Sequence, residues 1–191
     1  MFIQSEPTPN PDVLKFIPGV EVLPSGVHDF RNPEAATVSP LASGLFEVTG
    51  VIGVFLAEEF LTVRKSPATD WSLIKAPVLA AIMDHFTSGA PVLLDPAVSE
   101  PGRETVYEGE TGQIVAEIKE LLDTRIRPAV AQDGGDIVFS SFDLASGTVY
   151  LEMRGACSGC PSSTATLKSG VENMLKHYVP EVVRVEPAML D

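Results

Sequence analysis

The chain of 191 residues is poorly supplied with metal ligands and with basic side chains. It holds two cysteines, three histidines and one tryptophan, and sets 13 Lys and Arg against 26 Asp and Glu, for a formal net charge of −13. A phosphate backbone is met by clustered Lys and Arg, so nucleic acid is not an expected partner. Long apolar runs are missing as well. The stretch Val51 to Ala57 is far short of the roughly 20 residues that a spanning helix needs, so no membrane is expected either. The opening MFIQSEPTPNPDVLKF has no charged region followed by a long apolar core, and it is poor in Arg, unlike a transit peptide. These absences set the expectation of a cytoplasmic, bacterial-like protein, or of the mitochondrial matrix for a processed eukaryotic form. No Ser-His-Asp set, phosphate-binding glycine loop or catalytic carboxylate pair is evident, and no enzymatic activity is expected.

With 45% hydrophobic residues and a mean hydropathy above zero, the chain can bury a core in each of two small domains. The Pro-, Gly- and Glu-rich stretch from Asp95 to Gly112 has no sustained apolar period and reads as an exposed acidic linker. The domains are therefore placed at residues 1–95 and 112–191, with the linker at 96–111. Both are expected to be small α+β sandwiches.

In the first, Phe2 to Ser5 and Val13 to Ile17 read as strands joined by the rigid turn PTPNPD. Ser39 and Pro40 suit a helix cap and first helical position, with Leu41, Leu45, Phe46 and Val48 as the inward stripe. VIGVFLAEEFLTVRK reads as two strands about a turn at Glu58-Glu59. TDWSLIKAPVLAAIMDHFTSG reads as an amphipathic helix with Ile74, Val78, Ile82, Met83 and Phe86 inward and Pro77 in its first turn. The order is β-β-α-β-β-α. Trp71 and His85 are taken as packing or surface residues.

In the second, Ile114, Ile118, Leu121, Leu122 and Ile126 recur at helical spacing, with a late break at Pro128. Ile137, Phe139 and Ser141, then Val149, Leu151 and Met153, alternate as a hairpin about Ala145-Ser146-Gly147. A helix from about Ser162 to Tyr178 turns Leu167, Val171, Met174, Leu175 and Tyr178 to one side, and Val182, Val183 and Val185 suggest a closing strand. The order is α-β-β-α-β. The run Asp133-Gly134-Gly135-Asp136 is read as a helix-to-strand turn that needs positive φ at glycine, Met153 as core, and Arg154 as a solvated strand end.

Both cysteines lie in RGACSGCPSSTATLKSG, residues 154–170, between the second hairpin strand and the last helix. The amides of a helix N-terminus carry partial positive charge, which favours thiolate. Cys157 and Cys160 should therefore suit soft metals or redox exchange. Four readings compete. A thioredoxin-like dithiol also starts a helix with C-x-x-C, but within an early βαβ unit of a larger sheet. Zinc needs four ligands. His28 and His85 belong to the first domain, and His177, 17 residues past Cys160, would stand about 25 Å away along a helix. Two packing cysteines would not normally be flanked by Gly, Ser and Pro. An iron–sulfur cluster takes four thiolates, which two chains could supply across a two-fold axis. Spacing alone leaves the last only somewhat ahead.

The stretches DTRIRPAVAQDGGDIVF and GACSGCPSSTATLKSGVENMLKHYVPEV resemble the C-terminal domain of the NifU family. FIQSEPTPNPDVLKFIPG and FLTVRK…W…LIKAPVLAAIMDHFTSGAPV resemble the N-terminal domain of Nfu proteins. That resemblance implies an iron–sulfur cluster scaffold or carrier with Cys157 and Cys160 as metal and cluster ligands. It implies a cluster bridging two subunits, [4Fe–4S] before [2Fe–2S], in a homodimer that can be monomeric when apo. Its implied partners are upstream cluster-assembly proteins and apo iron–sulfur proteins. The runner-up is a dithiol/disulfide oxidoreductase using the same pair, with zinc shared across a dimer third.

Overall fold

The computed structural model describes residues 2–95, 106–158 and 161–188. The chain divides into two compact units, Met1–Glu100 and Pro101–Asp191. Each mixes helices with a sheet, so the expected α+β class holds.

The first unit is built on an antiparallel sheet of β1 (Gln4–Pro7), β2 (Val13–Ile17), β3 (His28–Phe30), β4 (Val51–Leu56) and β5 (Leu61–Lys65), in the order β1-β2-β5-β4-β3. Alternate residues of a strand share a face. In register, Phe16, Leu61 and Leu56 form one cross-strand row, and Leu14, Val63, Val54 and Phe30 form the next. Helices α1 (Pro40–Phe46) and α2 (Trp71–Ser88) complete this core through Leu41 and Leu45, and through Ile74, Val78 and Ile82. Each fully buried side chain of this size contributes about 1.5–3 kcal/mol relative to exposure.

The capping expected at Ser39 is present. Its hydroxyl accepts from the Ala42 amide at 3.1 Å and donates to the Val92 carbonyl at 2.6 Å. Strand β3 was not expected. Three residues are too few to show a period, and only pairing with β4 defines it. Helix α2 starts at Trp71, where the Asp70 carboxylate accepts from the Ser72 amide, so Pro77 lies inside the helix rather than in its first turn. Met83, expected inward, is exposed, because it is turned about 100° from Ile82 around the axis. Trp71 Nε1 donates to the Pro11 carbonyl at 3.0 Å, which ties the helix start to the β1–β2 turn.

In the second unit, α3 (Gly109–Leu121), a π turn (Leu122–Ile126) and α4 (Arg127–Gln132) form one helical run. Helix α3 thus begins inside the segment expected as linker, of which residues 96–105 lie outside the described residues. Pro128 has no amide to offer the preceding turn, and the ladder widens there: the Arg127 amide bonds the Leu122 carbonyl five residues back. Ile126 and Val130 still reach the core.

Strands β6 (Gly135–Asp143) and β7 (Thr148–Gly155) form the expected hairpin, and α5 (Pro161–Tyr178) carries the chain to β8 (Arg184–Pro187), parallel to β7. A bulge between Phe139 and Ser141 changes the parity of β6, so Phe142, not Ser141, is buried beside Ile137. Val171 and Leu175 of α5 are buried. Tyr178 is exposed at the helix end, its hydroxyl accepting from Arg125 at 3.2 Å.

Replacing Ser39 with Ala removes the cap and leaves the Val92 carbonyl without its donor, and should destabilise the first unit by about 1–2 kcal/mol. Trp71, the one tryptophan of the chain, lies in this unit. Its fluorescence should report an earlier urea midpoint with the slope unchanged.

Candidate functional site

The site forms where the helical run ends and the hairpin begins. The Asp133 and Gly134 amides donate to the Val130 and Ala131 carbonyls at 3.1 and 3.0 Å, closing α4. Gly134 then takes φ +78°, left-handed backbone that glycine enters without a Cβ clash, and Gly135 opens β6. That is the turn expected of Asp133 to Asp136.

Gly135 pairs with Gly155 at the end of the hairpin, and the Ala156 amide extends the ladder by donating to the Gly134 carbonyl at 3.1 Å. The chain then turns. Both the amide and the hydroxyl of Ser158 donate to the Gly155 carbonyl, at 3.2 and 3.1 Å. Cys157 is the third residue of this turn. Its side chain lies directly over Gly135: a Cβ there would overlap the Cys157 Sγ and stand 2.9 Å from the Arg154 carbonyl oxygen.

Cys157 is 6% exposed and belongs to the core of the second unit. Burial, then the charges of Asp133 and Asp136, push its thiol up to about 12. The expectation of an easily ionised thiol is thereby reversed for Cys157. Helix α5 begins only at Pro161, the helix-end field fades within about one turn, and desolvation outweighs it. Cys160 and Gly159 lie outside the described residues.

Two ion pairs flank the turn. Arg127 grips Asp136 with both arms, Nε to Oδ1 at 2.8 Å and Nη2 to Oδ2 at 3.0 Å, and reaches Asp123 at 2.9 Å. The bonds to Asp136, more than those to Asp123, hold the Arg127 guanidinium firmly protonated. Arg154, expected as a solvated strand end, is buried and makes two bonds of 3.2 Å to Glu152. It stands opposite Asp136 across the ladder, on the face away from Met153. Met153 is core, as expected.

Sequence reasoning missed the contribution of Gly135 and the Arg127–Asp136 pair. The doubled glycine was a usable signal. One of the two supplies positive φ, which leaves close approach as the reason for the other.

Among the described residues, no group of three His, Cys, Asp or Glu side chains could hold a metal ion. His28 stacks on Phe30 in the first unit, and His177 is exposed on α5. His85 is buried in the first unit, where desolvation holds its pKa below the ordinary value, and its Nε2 has no hydrogen-bond partner among the described residues.

Residues 3–89 match the family described as "Scaffold protein Nfu/NifU N terminal", and residues 118–186 match the NifU-like domain. The "NFU1 iron-sulfur cluster scaffold homolog, mitochondrial" of Drosophila erecta is 54% identical over 187 residues, covering 97% of this chain and 64% of that protein. The "NifU-like protein 5, mitochondrial" of Arabidopsis thaliana is 50% identical over 186 residues, covering 97% of this chain and 67% of that protein. The chain thus spans about two thirds of the length of these relatives. A solution structure of a NifU-like protein from Saccharomyces cerevisiae is 24% identical over 49% of this chain and 84% of that one, with a TM-score of 0.45.

Both domain types of a two-domain Nfu protein are present, and in that order. The chain belongs to the Nfu/NifU family. The expectation of a cytoplasmic, bacterial-like protein is overturned by these relatives, which are mitochondrial proteins by name. It had rested on the composition of the first residues, which is no guide to location.

Because the fold favours the neutral thiol of Cys157, its stabilising contribution is fully present below pH 9 and is lost as pH rises toward about 12. In a metal-free Cys160→Ala chain, ultraviolet thiolate absorbance should appear only well above pH 9, and should return to the ordinary range in denaturant. Ionisation near pH 9 in the folded chain would contradict the burial.

Proposed function

We propose that the chain is an iron–sulfur cluster scaffold or carrier that holds its cargo through Cys157 and Cys160 and passes it to apo iron–sulfur proteins. The observation that carries this reading is the ligand inventory: one C-x-x-C pair at a strand-to-helix turn, in a chain of the Nfu/NifU family, with no other ligand cluster among the described residues.

A cluster takes four thiolates, so each chain supplies half and a second chain supplies the rest. Four thiolates suit either common cluster, and the family resemblance puts [4Fe–4S] first and [2Fe–2S] second. Each thiol gives up its proton on ligation, so loading releases protons and becomes more favourable as pH rises. Separating the two chains strips half of the ligands, and incoming thiols of an apo-protein can take their place. The chain's own residues bind and release, with no catalytic step assigned to them. The first unit serves partner recognition, with the segment ahead of α3 as the connector between the two units.

The dithiol oxidoreductase reading draws no support from Cys157. Attack on a disulfide needs an accessible thiol, and in the metal-free chain this one is buried.

Anaerobic reconstitution with iron and sulfide should give broad visible absorbance, bound iron and sulfide in matching amounts, and a shift from monomer to dimer. Cys157→Ser or Cys160→Ser should abolish all three. Turnover of a disulfide substrate by a colourless monomer would instead establish the oxidoreductase, and zinc bound without sulfide would establish the third reading.

A further inference from the structure

A thiol that ligates a cluster shared with a second chain has to stand at a surface. Cys157 does not: it is 6% exposed, and its neighbours are those of the second unit's core. What admits it there is the missing side chain at Gly135, since any Cβ at that position would occupy the space of the Sγ. The register is held on both sides of the cysteine. Gly135 pairs with Gly155, the Ala156 amide bonds the Gly134 carbonyl, and the turn closes at Ser158. Cys157 therefore meets Gly135 through the ladder itself, not through chance packing.

We propose that Gly135 is a positioning residue whose bare α-carbon seats the Cys157 side chain in the core of the cluster-free chain, so that loading begins with this thiol leaving its seat. Leaving the seat takes a change of the Cys157 rotamer, a shift of the turn that closes at Ser158, or both. Stowage shields a ligand from adventitious reagents while no cargo is present. Release is drawn by the incoming iron, which binds only the outward position. The proposal rests on the reading of Cys157 as a cluster ligand.

The test is pulsed alkylation of the full, reduced, metal-free chain, with peptide mass spectrometry following Cys157. A small methanethiosulfonate and a bulky maleimide are compared in buffer and in denaturant. Slow ionisation alone retards both reagents alike, whereas enclosure retards the bulky one more. The folded chain should label at Cys157 about tenfold or more slowly than the denatured chain, with the larger deficit for maleimide. Gly135→Ala, verified as folded by circular dichroism, should lose most of that protection.

Equal rates in the folded and denatured wild-type chain, or the same deficit for both reagents, would overturn the seat. So would a folded Gly135→Ala chain that remains protected. If that variant does not fold, the size dependence in the wild type decides alone. Since labelling uses no iron, a protected Cys157 in a chain that never loads a cluster would refute the functional reading and keep the seat. A freely labelled Cys157 in a chain that loads normally would do the reverse.

Discussion

The end of the β6–β7 ladder, where Gly135 faces Gly155, brings three short segments together: the close of α4, the start of β6 and the turn that holds Cys157. Each depends on the others. Gly134 lets the chain reverse out of α4, Gly135 leaves room for the cysteine, and the Ala156 amide locks the two sides. The Arg127–Asp136 pair adds a tie from α4 to the first residues of β6. Removing one partner of a buried ion pair strands the other's charge, so loss of either end of this tie is destabilising. Only Asp136 is deeply buried here, and the exposed side of Arg127 moderates the effect.

The same architecture limits what the site can do. Two cysteines are too few to enclose a cluster in one chain on the proposed reading, and one of them, Cys157, is surrounded with protein. Both features suit a protein that holds its cargo for a time. A permanent redox centre gains from a complete, rigid coordination shell, whereas a carrier gains from a shell that comes apart. The net charge of −13 leaves basic partner surfaces as a natural complement, with attraction that salt would weaken.

Much of this was legible in the sequence wherever local chemistry decides structure. Ser39 before Pro40 and the alternation in β7 each name their element without help from the rest of the chain. Non-local features were harder to read. β3 exists only as a neighbour of β4, and the bulge at Ser140 swaps Phe142 for Ser141 because the fit to β7 requires it. Arg154 was expected in water because strand ends usually are, yet it lies across from Asp136 on a covered part of the sheet. Cys157 is the sharpest case. Its neighbours in sequence are small and polar and suggest exposure, while its neighbours in space are Gly135 and the core. The C-x-x-C spacing is a feature of the sequence itself, and the DGGD turn was the part of the surrounding structure that could be read directly.

Everything about the role turns on how many chains one cluster needs. Native mass spectrometry of the anaerobically loaded protein measures that number without reference to any client. A species of two chains with a single cluster is the result the account predicts. One chain retaining a whole cluster with no external ligand, or a dimer whose cluster survives replacement of both cysteines, would contradict it.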